Sequence, residues 1–200
     1  MLPIDVVIPA TKKTSELPLI VYQQFLLSGI AENSLHIIHE PLGNANAKRN
    51  LGASRGKQPY IFFCDDDVVL MPGTLLKMLG KLFENPAKAY CYCDFAAFNH
   101  PCNGNFVHRA GDFNAENLKA QNYISTMSLM RRDAFEAVGG FDPSIQRLQD
   151  WDLWLSMLKV GLDGIYLPEV AFFTTYSPTG TTQVEGYKEA AEIVKRKHNL

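Results

Sequence analysis

Residues 61–72 read IFFCDDDVVLMP: four apolar residues, three consecutive carboxylates, then apolar residues again. Three adjacent carboxylates buried without partners would be very costly, because each loses its water and repels its neighbours. The run is therefore legible only as a buried strand over Tyr60 to Cys64 whose carboxyl end delivers Asp65, Asp66 and Asp67 to solvent or to something cationic. A chain that must satisfy this run needs a layered core with strand ends that open onto a site.

The rest of the chain supplies such layers. Ile4 to Pro9 (IDVVIP) is a short β-branched run closed by proline, and Leu35 to His39 is a second strand candidate. Between them Leu17, Ile20, Val21 and Phe25 give one helical face, with Ser15 as cap and Gly29 as stop. In GNANAKRNLGASRG, residues 43–56, the second half reads as a short helix. Leu75, Leu76, Met78, Leu79, Leu82 and Phe83 follow helical spacing from a Thr74 cap to Asn85-Pro86. Ala89 to Phe95 reads as a strand, His100 to Asn117 as a long surface loop, and Tyr123 to Met130 as another strand. Asp133 with Glu136 resembles a capping box for a helix stopped by Gly139-Gly140. Leu148, Trp151, Leu155 and Leu158 mark a further helix ended by Gly161, with Asp150 and Trp154 on a neighbouring face. A last helix runs from Val184 to Lys197. Alternating strands and helices predict an α/β domain with a mostly parallel sheet and helices on both faces. In such sheets ligands bind beyond the carboxyl ends of the strands, where Pro9, Asp65 and Asp67 would fall.

Two hundred residues with 46% hydrophobic and 20% charged content fit one folded domain and argue against disorder or coiled coil. A net charge of −2 gives no broad cationic field, so nucleic acid is not an expected partner. The N-terminus has no charged segment followed by a long apolar one, and no apolar run approaches membrane-spanning length, so a cytoplasmic location is expected. The basic end Lys195-Arg196-Lys197-His198 complements the negative pole of its helix, and contact with anionic lipid is a second use for it. Cys91, Cys93 and Cys102 with His100 or His108 lack the paired spacing of a zinc site, and ordinary thiols are the better reading.

Carboxylates at i and i+2 of an extended chain point the same way, so Asp65 and Asp67 can address one ligand while Asp66 faces elsewhere. Two hard oxygen ligands suit Mg²⁺ or Mn²⁺, an ion that keeps waters and bridges to phosphate oxygens. The alternative is a solvated turn whose acids cap backbone NH groups. Trp151 reads as core; Trp154 is open between core and a sugar-stacking surface.

Two stretches carry a resemblance. GNANAKRNLGASRGKQPYIFFCDDDVVLMPGTL is similar to the donor segment of family 2 glycosyltransferases of GT-A fold, with small residues, an RN pair, then a strand ending in a DxD motif. SLMRRDAFEAVGGFDPSIQRLQDWDLWLSMLKVG resembles the acceptor-side segment of that family, in which GGFD precedes an acidic pair opening a helix. The resemblance covers most of residues 4–168. It implies a single GT-A, Rossmann-like domain over residues 1–200: a donor-binding half over about 1–95, an acceptor-side half over about 96–183, and a C-terminal helix over about 184–198. It further implies a nucleotide-sugar donor contacted by Pro9, Ala10, Arg49, Asp65, Asp66 and Gly140, Mg²⁺ or Mn²⁺ on Asp67 and Asp65, and Asp150 as the base that deprotonates a hydroxyl of a glycan or lipid-linked acceptor. Asp152 is the competing base.

The chain departs from that pattern in three places. Gln149 stands where the family has the glutamate of its acidic pair. HIIHEPLGN replaces the Asp-rich turn after the second strand, leaving Glu40 as substitute and UDP, GDP and dTDP donors all open. TTYSPTGTT lacks the C-terminal histidine, whose place falls to Tyr176 or water. Two other classes remain beside the transferase: a sugar-nucleotide-binding module without catalysis, and a phosphoryl-transfer enzyme, which would need a nucleophilic aspartate.

Overall fold

The computed structural model describes residues 1–10, 19–39, 43–100, 103–175 and 186–200. Strand β1 is Ile4–Pro9, β2 Leu35–Ile38 and β3 Tyr60–Phe63, and β1 pairs in parallel with both others. Farther along, β4 is Val69–Leu70, β5 Tyr90–His100, β6 Gly104–His108, β7 Leu129–Arg131 and β8 Gly164–Thr175. The sheet order is β2-β1-β3-β7-β5-β8-β4, with β6 on β5. Its longest ladder, β5 with β8, is parallel; the short β7 runs antiparallel between the two parallel halves.

Helices cover both faces, as the alternation predicts. Ile4, Val6, Ile8, Phe62 and Cys64 meet α1 (Leu19–Leu27) and α3 (Thr74–Glu84) through Val21, Phe25, Leu75, Met78 and Leu82. On the other face Val7, Ile61, Phe63, Tyr90 and Tyr92 pack with residues of α2 (Ala45–Arg55), α4 (Ala115–Ala120), α5 (Arg132–Ala137), α6 (Gln149–Lys159) and α7 (Tyr187–His198). The expected Ser15 cap and Leu17 lie outside the described residues. No helix among the described residues is long and apolar enough to cross a membrane.

Five local readings are corrected. Helix α2 begins at Ala45, earlier than its composition indicates, because the Asn44 side chain accepts from Ala47 N at 3.1 Å. The surface loop read over His100 to Asn117 contains β6, which turns back on β5, and α4, capped by Asn114 on Asn117 N at 2.8 Å. The strand read over Tyr123 to Met130 shrinks to β7. Ser125 and Ser128 hydroxyls bond nearby backbone and compete with ladder pairing there. Asp133 is no cap: it lies inside α5, and Arg131 holds the cap position without a side-chain bond. The helix face of α3 is as read, although Gly73 rather than Thr74 occupies its cap, and Thr74 Oγ1 donates to Ala171 O at 2.9 Å.

Candidate active site

Strand β3 delivers the triplet to a cleft of about 550 Å³ at the carboxyl ends of β1 and β3. The extended geometry expected for the acids stops at Phe63; Val68 N donates to Asp65 O at 3.3 Å, so the triplet rounds a turn. The alternation that would turn Asp66 away is lost, and all three carboxylates line the cleft.

Arg49 reaches this turn from α2. It is 4% exposed, its Nη2 donates to Asp65 Oδ1 at 2.7 Å, and its guanidinium lies 5.3 Å from the centre of the Phe141 ring. The segment after α5 is held to α2 by asparagines. Asn50 Nδ2 donates to Phe141 O at 2.7 Å and its Oδ1 accepts from Phe141 N at 3.0 Å. Asn46 Nδ2 donates to Asp142 O and Ile145 O at 2.7 and 2.9 Å. The KRN segment thus combines one residue at the acids with one clamping the GGFD stretch, a role that spacing alone does not display.

Beyond that stretch Leu148 takes a left-handed φ of 56° at the entrance to α6 and sets Gln149 and Asp150 at the cleft. Asp150 Oδ1 accepts from Trp151 N at 2.9 Å and from Asn122 Nδ2 at 3.0 Å. Burial pushes the Asp150 carboxyl above the usual carboxylate range, while the Trp151 NH, the Arg49 charge and the Asn122 amide pull it back. Asp67 is pushed up to about 6, first by the protein packed around it and then by Asp65 and Asp66. No salt bridge to Asp67 occurs among the described residues.

The opposite wall is aromatic. The Phe95 ring of β5 stacks between His108 at 4.8 Å and Phe172 at 5.1 Å, and Phe106 completes this side. Tyr187, first residue of α7, closes the rim, its phenol pushed up by burial and by the Asp150 charge. Asn122 comes from an irregular segment and Phe106 and His108 from one read as loop; Phe95 and Tyr187 lie in elements read as such, but no periodicity ties them to Asp150.

Of the residues expected at the site, Pro9, Arg49, Asp65, Asp66, Asp67 and Asp150 meet in this one cleft. Ala10 and Gly140 are not among the described residues that line it. Ala10 is buried, its carbonyl accepting from Lys48 Nζ at 2.5 Å, and a Cβ on Gly140 would lie 2.8 Å from Asn50 Oδ1. Asp152, the competing base, is 2% exposed and bound to Lys197 and His198 at 2.8 Å each, away from the cleft. Lys197 also holds Asp142 Oδ2 at 2.7 Å, so half of the basic C-terminal run is engaged inside the protein. Both tryptophans are core: Trp151 donates to Leu118 O, while Trp154 donates to Ile124 O and stacks on Tyr90. Burial pushes the Cys91 thiol up to about 12, as for an ordinary buried thiol; Cys102, Glu40 and Tyr176 lie outside the described residues.

The donor set fits a divalent ion in part. Asp65 and Asp67 offer hard oxygens in a crowd of like charge that a cation would relieve. No group of three or more His, Cys, Asp or Glu side chains fit to hold a metal occurs among the described residues. An ion here would take its remaining ligands from phosphate and water.

A cleft beyond the carboxyl ends of parallel strands, acidic and arginine-bearing on one side, lies where open α/β domains bind their ligands. The chain belongs to glycosyl transferase family 2, whose family model matches residues 22–139. It is 25% identical over 135 residues to an uncharacterized glycosyltransferase of Haemophilus influenzae, covering 62% of this chain and 44% of that one. To the uncharacterized glycosyltransferase YwdF of Bacillus subtilis it is 25% identical over 160 residues, covering 76% and 53%. The chain thus spans about half the length of these relatives. Its fold is that of S. aureus TarS, with TM-score 0.68 at 11% identity over 98% of this chain and 39% of the other. Residues 1–349 of TarS in complex with UDP-GlcNAc give TM-score 0.68 at 12% identity, covering 96% and 56%.

Proposed function

We propose that the cleft binds a nucleoside-diphosphate sugar at its acidic end and transfers the sugar, with inversion, to a hydroxyl of a glycan or lipid-linked acceptor. The observation that carries this reading is the meeting, in one cleft, of the triplet, Arg49 and Asp150 from separate parts of the chain. Family membership supports the reaction class, and the TarS complex with UDP-GlcNAc makes uridine donors the first to try.

Asp67 and Asp65 would hold Mg²⁺ or Mn²⁺, whose charge offsets the negative charge that grows on a departing diphosphate. Arg49 fixes Asp65 and lends its field to keep Asp150 ionised. The acceptor oxygen bonds to the anomeric carbon as the bond from that carbon to the phosphate oxygen breaks. The hydroxyl proton passes to Asp150, and the nucleoside diphosphate leaves with the bonding electrons. Attack opposite the leaving group in a single displacement inverts the centre. A carboxylate raised by burial is a stronger base than one in water, which suits this role. Peripheral contact with an anionic membrane would rest on Lys195 and Arg196.

Asp150→Asn tests the base: donor affinity should stay within about threefold while transfer falls by roughly 100-fold or more, the usual range for a lost general base. Transfer at the wild-type rate would move the base elsewhere.

A further inference from the structure

Among the described residues the Asp150 carboxylate is held from one side: the hydrogen bonds from Trp151 N and Asn122 Nδ2 both fall on Oδ1. Oδ2 carries none among the described residues. Asn122 itself, at the cleft, shows an unusual economy of contacts: its Oδ1 is buried and finds no hydrogen-bond partner among the described residues. The amide has no better orientation, since turning it over would set its oxygen against an oxygen of an ionised carboxylate that can only accept. An orphaned buried acceptor costs stability, and native proteins rarely carry one without cause.

We infer that Asn122 is a positioning residue for the transfer reaction: its amide holds Oδ1 of Asp150 so that Oδ2 is the oxygen presented to the acceptor proton. This rests on the reading of Asp150 as base. The other groups around the carboxylate do not take this role. Arg49 of α2 acts on it through charge, Tyr187 of α7 faces it as a neutral phenol, and the backbone NH of Trp151 is a second anchor on the same Oδ1, leaving Asn122 as the side-chain one. Arg147 and the triplet line the same cleft.

The test is a ¹³C NMR titration of the side-chain carboxyls of the whole chain, with the Asp150 signal assigned by its loss in Asp150→Asn. A hydrogen bond to the charged form favours that form, so Asn122→Ala should raise the proton affinity of Asp150 by roughly threefold to tenfold. The unfolding midpoint should not fall below wild type, because the orphaned acceptor goes too. Asn122→Asp keeps the shape but replaces the donor with a second carboxylate, and should raise that affinity by about tenfold or more. The acid limb of UDP release from UDP-GlcNAc with Mn²⁺, water serving as acceptor, should move to higher pH in both variants. An Asp150 titration unmoved in both variants overturns the inference, as does a lowered midpoint in Asn122→Ala with the Asp150 titration unmoved in Asn122→Asp. Turnover retained by Asp150→Asn is a distinct result that removes the base reading beneath it.

Discussion

Asp67 carries the least comfortable charge in the cleft. A carboxyl pushed up to about 6 binds its proton more tightly folded than unfolded, so the folded state is penalised as pH rises from about 4 through 6. Asp67→Asn should therefore raise the unfolding midpoint of the metal-free protein at pH 7 and leave it unchanged near pH 3. The gain should be under about 1 kcal/mol because solvent screens a side chain that opens onto the cleft; thermal melts at the two pH values measure it. The triplet and Asp150 are legible in the sequence because their segments have strong local patterns, a strand running into acids and a helix entered through acids. Asn122 is not: it falls between the loop read to Asn117 and the strand read from Tyr123, and only the tertiary fold brings it to Asp150.

At the scale of elements, the asparagine clamp between α2 and residues 141–145 links the acidic side of the cleft to the Asp150 side. Asn50 alone satisfies both the NH and the carbonyl of Phe141. Asn50→Ala should cost about 1–3 kcal/mol in urea unfolding, the penalty for unsatisfied partly buried groups. Only the second half of residues 43–56 reads as helix, because asparagine favours turns; the fold uses Asn44 as a cap and Asn46 and Asn50 as clamps. Helix α7 is tied down by Lys197, which with Ser144 holds Asp142 down to about 2. A carboxyl lowered on folding stabilises the protein above its unfolded range, near 4, and that contribution is lost as pH falls toward 2. Lys197 is raised, so its contribution is present below the ordinary lysine range and lost as pH climbs through it. Lys197→Met should accordingly lower the midpoint at pH 7 and much less at pH 2, read by the same melts.

For the whole molecule, the alternation of strands and helices is enough to read an α/β sheet covered on both faces, and the apolar periods of β1, β3 and α3 place its core. What pattern alone does not reach is the far side of the cleft. The β5–β6 hairpin hides in a segment rich in Asn and Gly, and it is tertiary pairing that stacks Phe95 between His108 and Phe172. The two walls differ in chemistry: carboxylates and arginine on one, aromatic rings on the other, with Asp150 in the same cleft. The most direct measurement is calorimetric titration of the protein with UDP-, GDP- and dTDP-sugars, with and without Mn²⁺, repeated on Asp67→Asn. The account predicts saturable binding of one donor that needs Mn²⁺ and is lost in the variant; binding to no donor, or equal binding without metal and in Asp67→Asn, would contradict it.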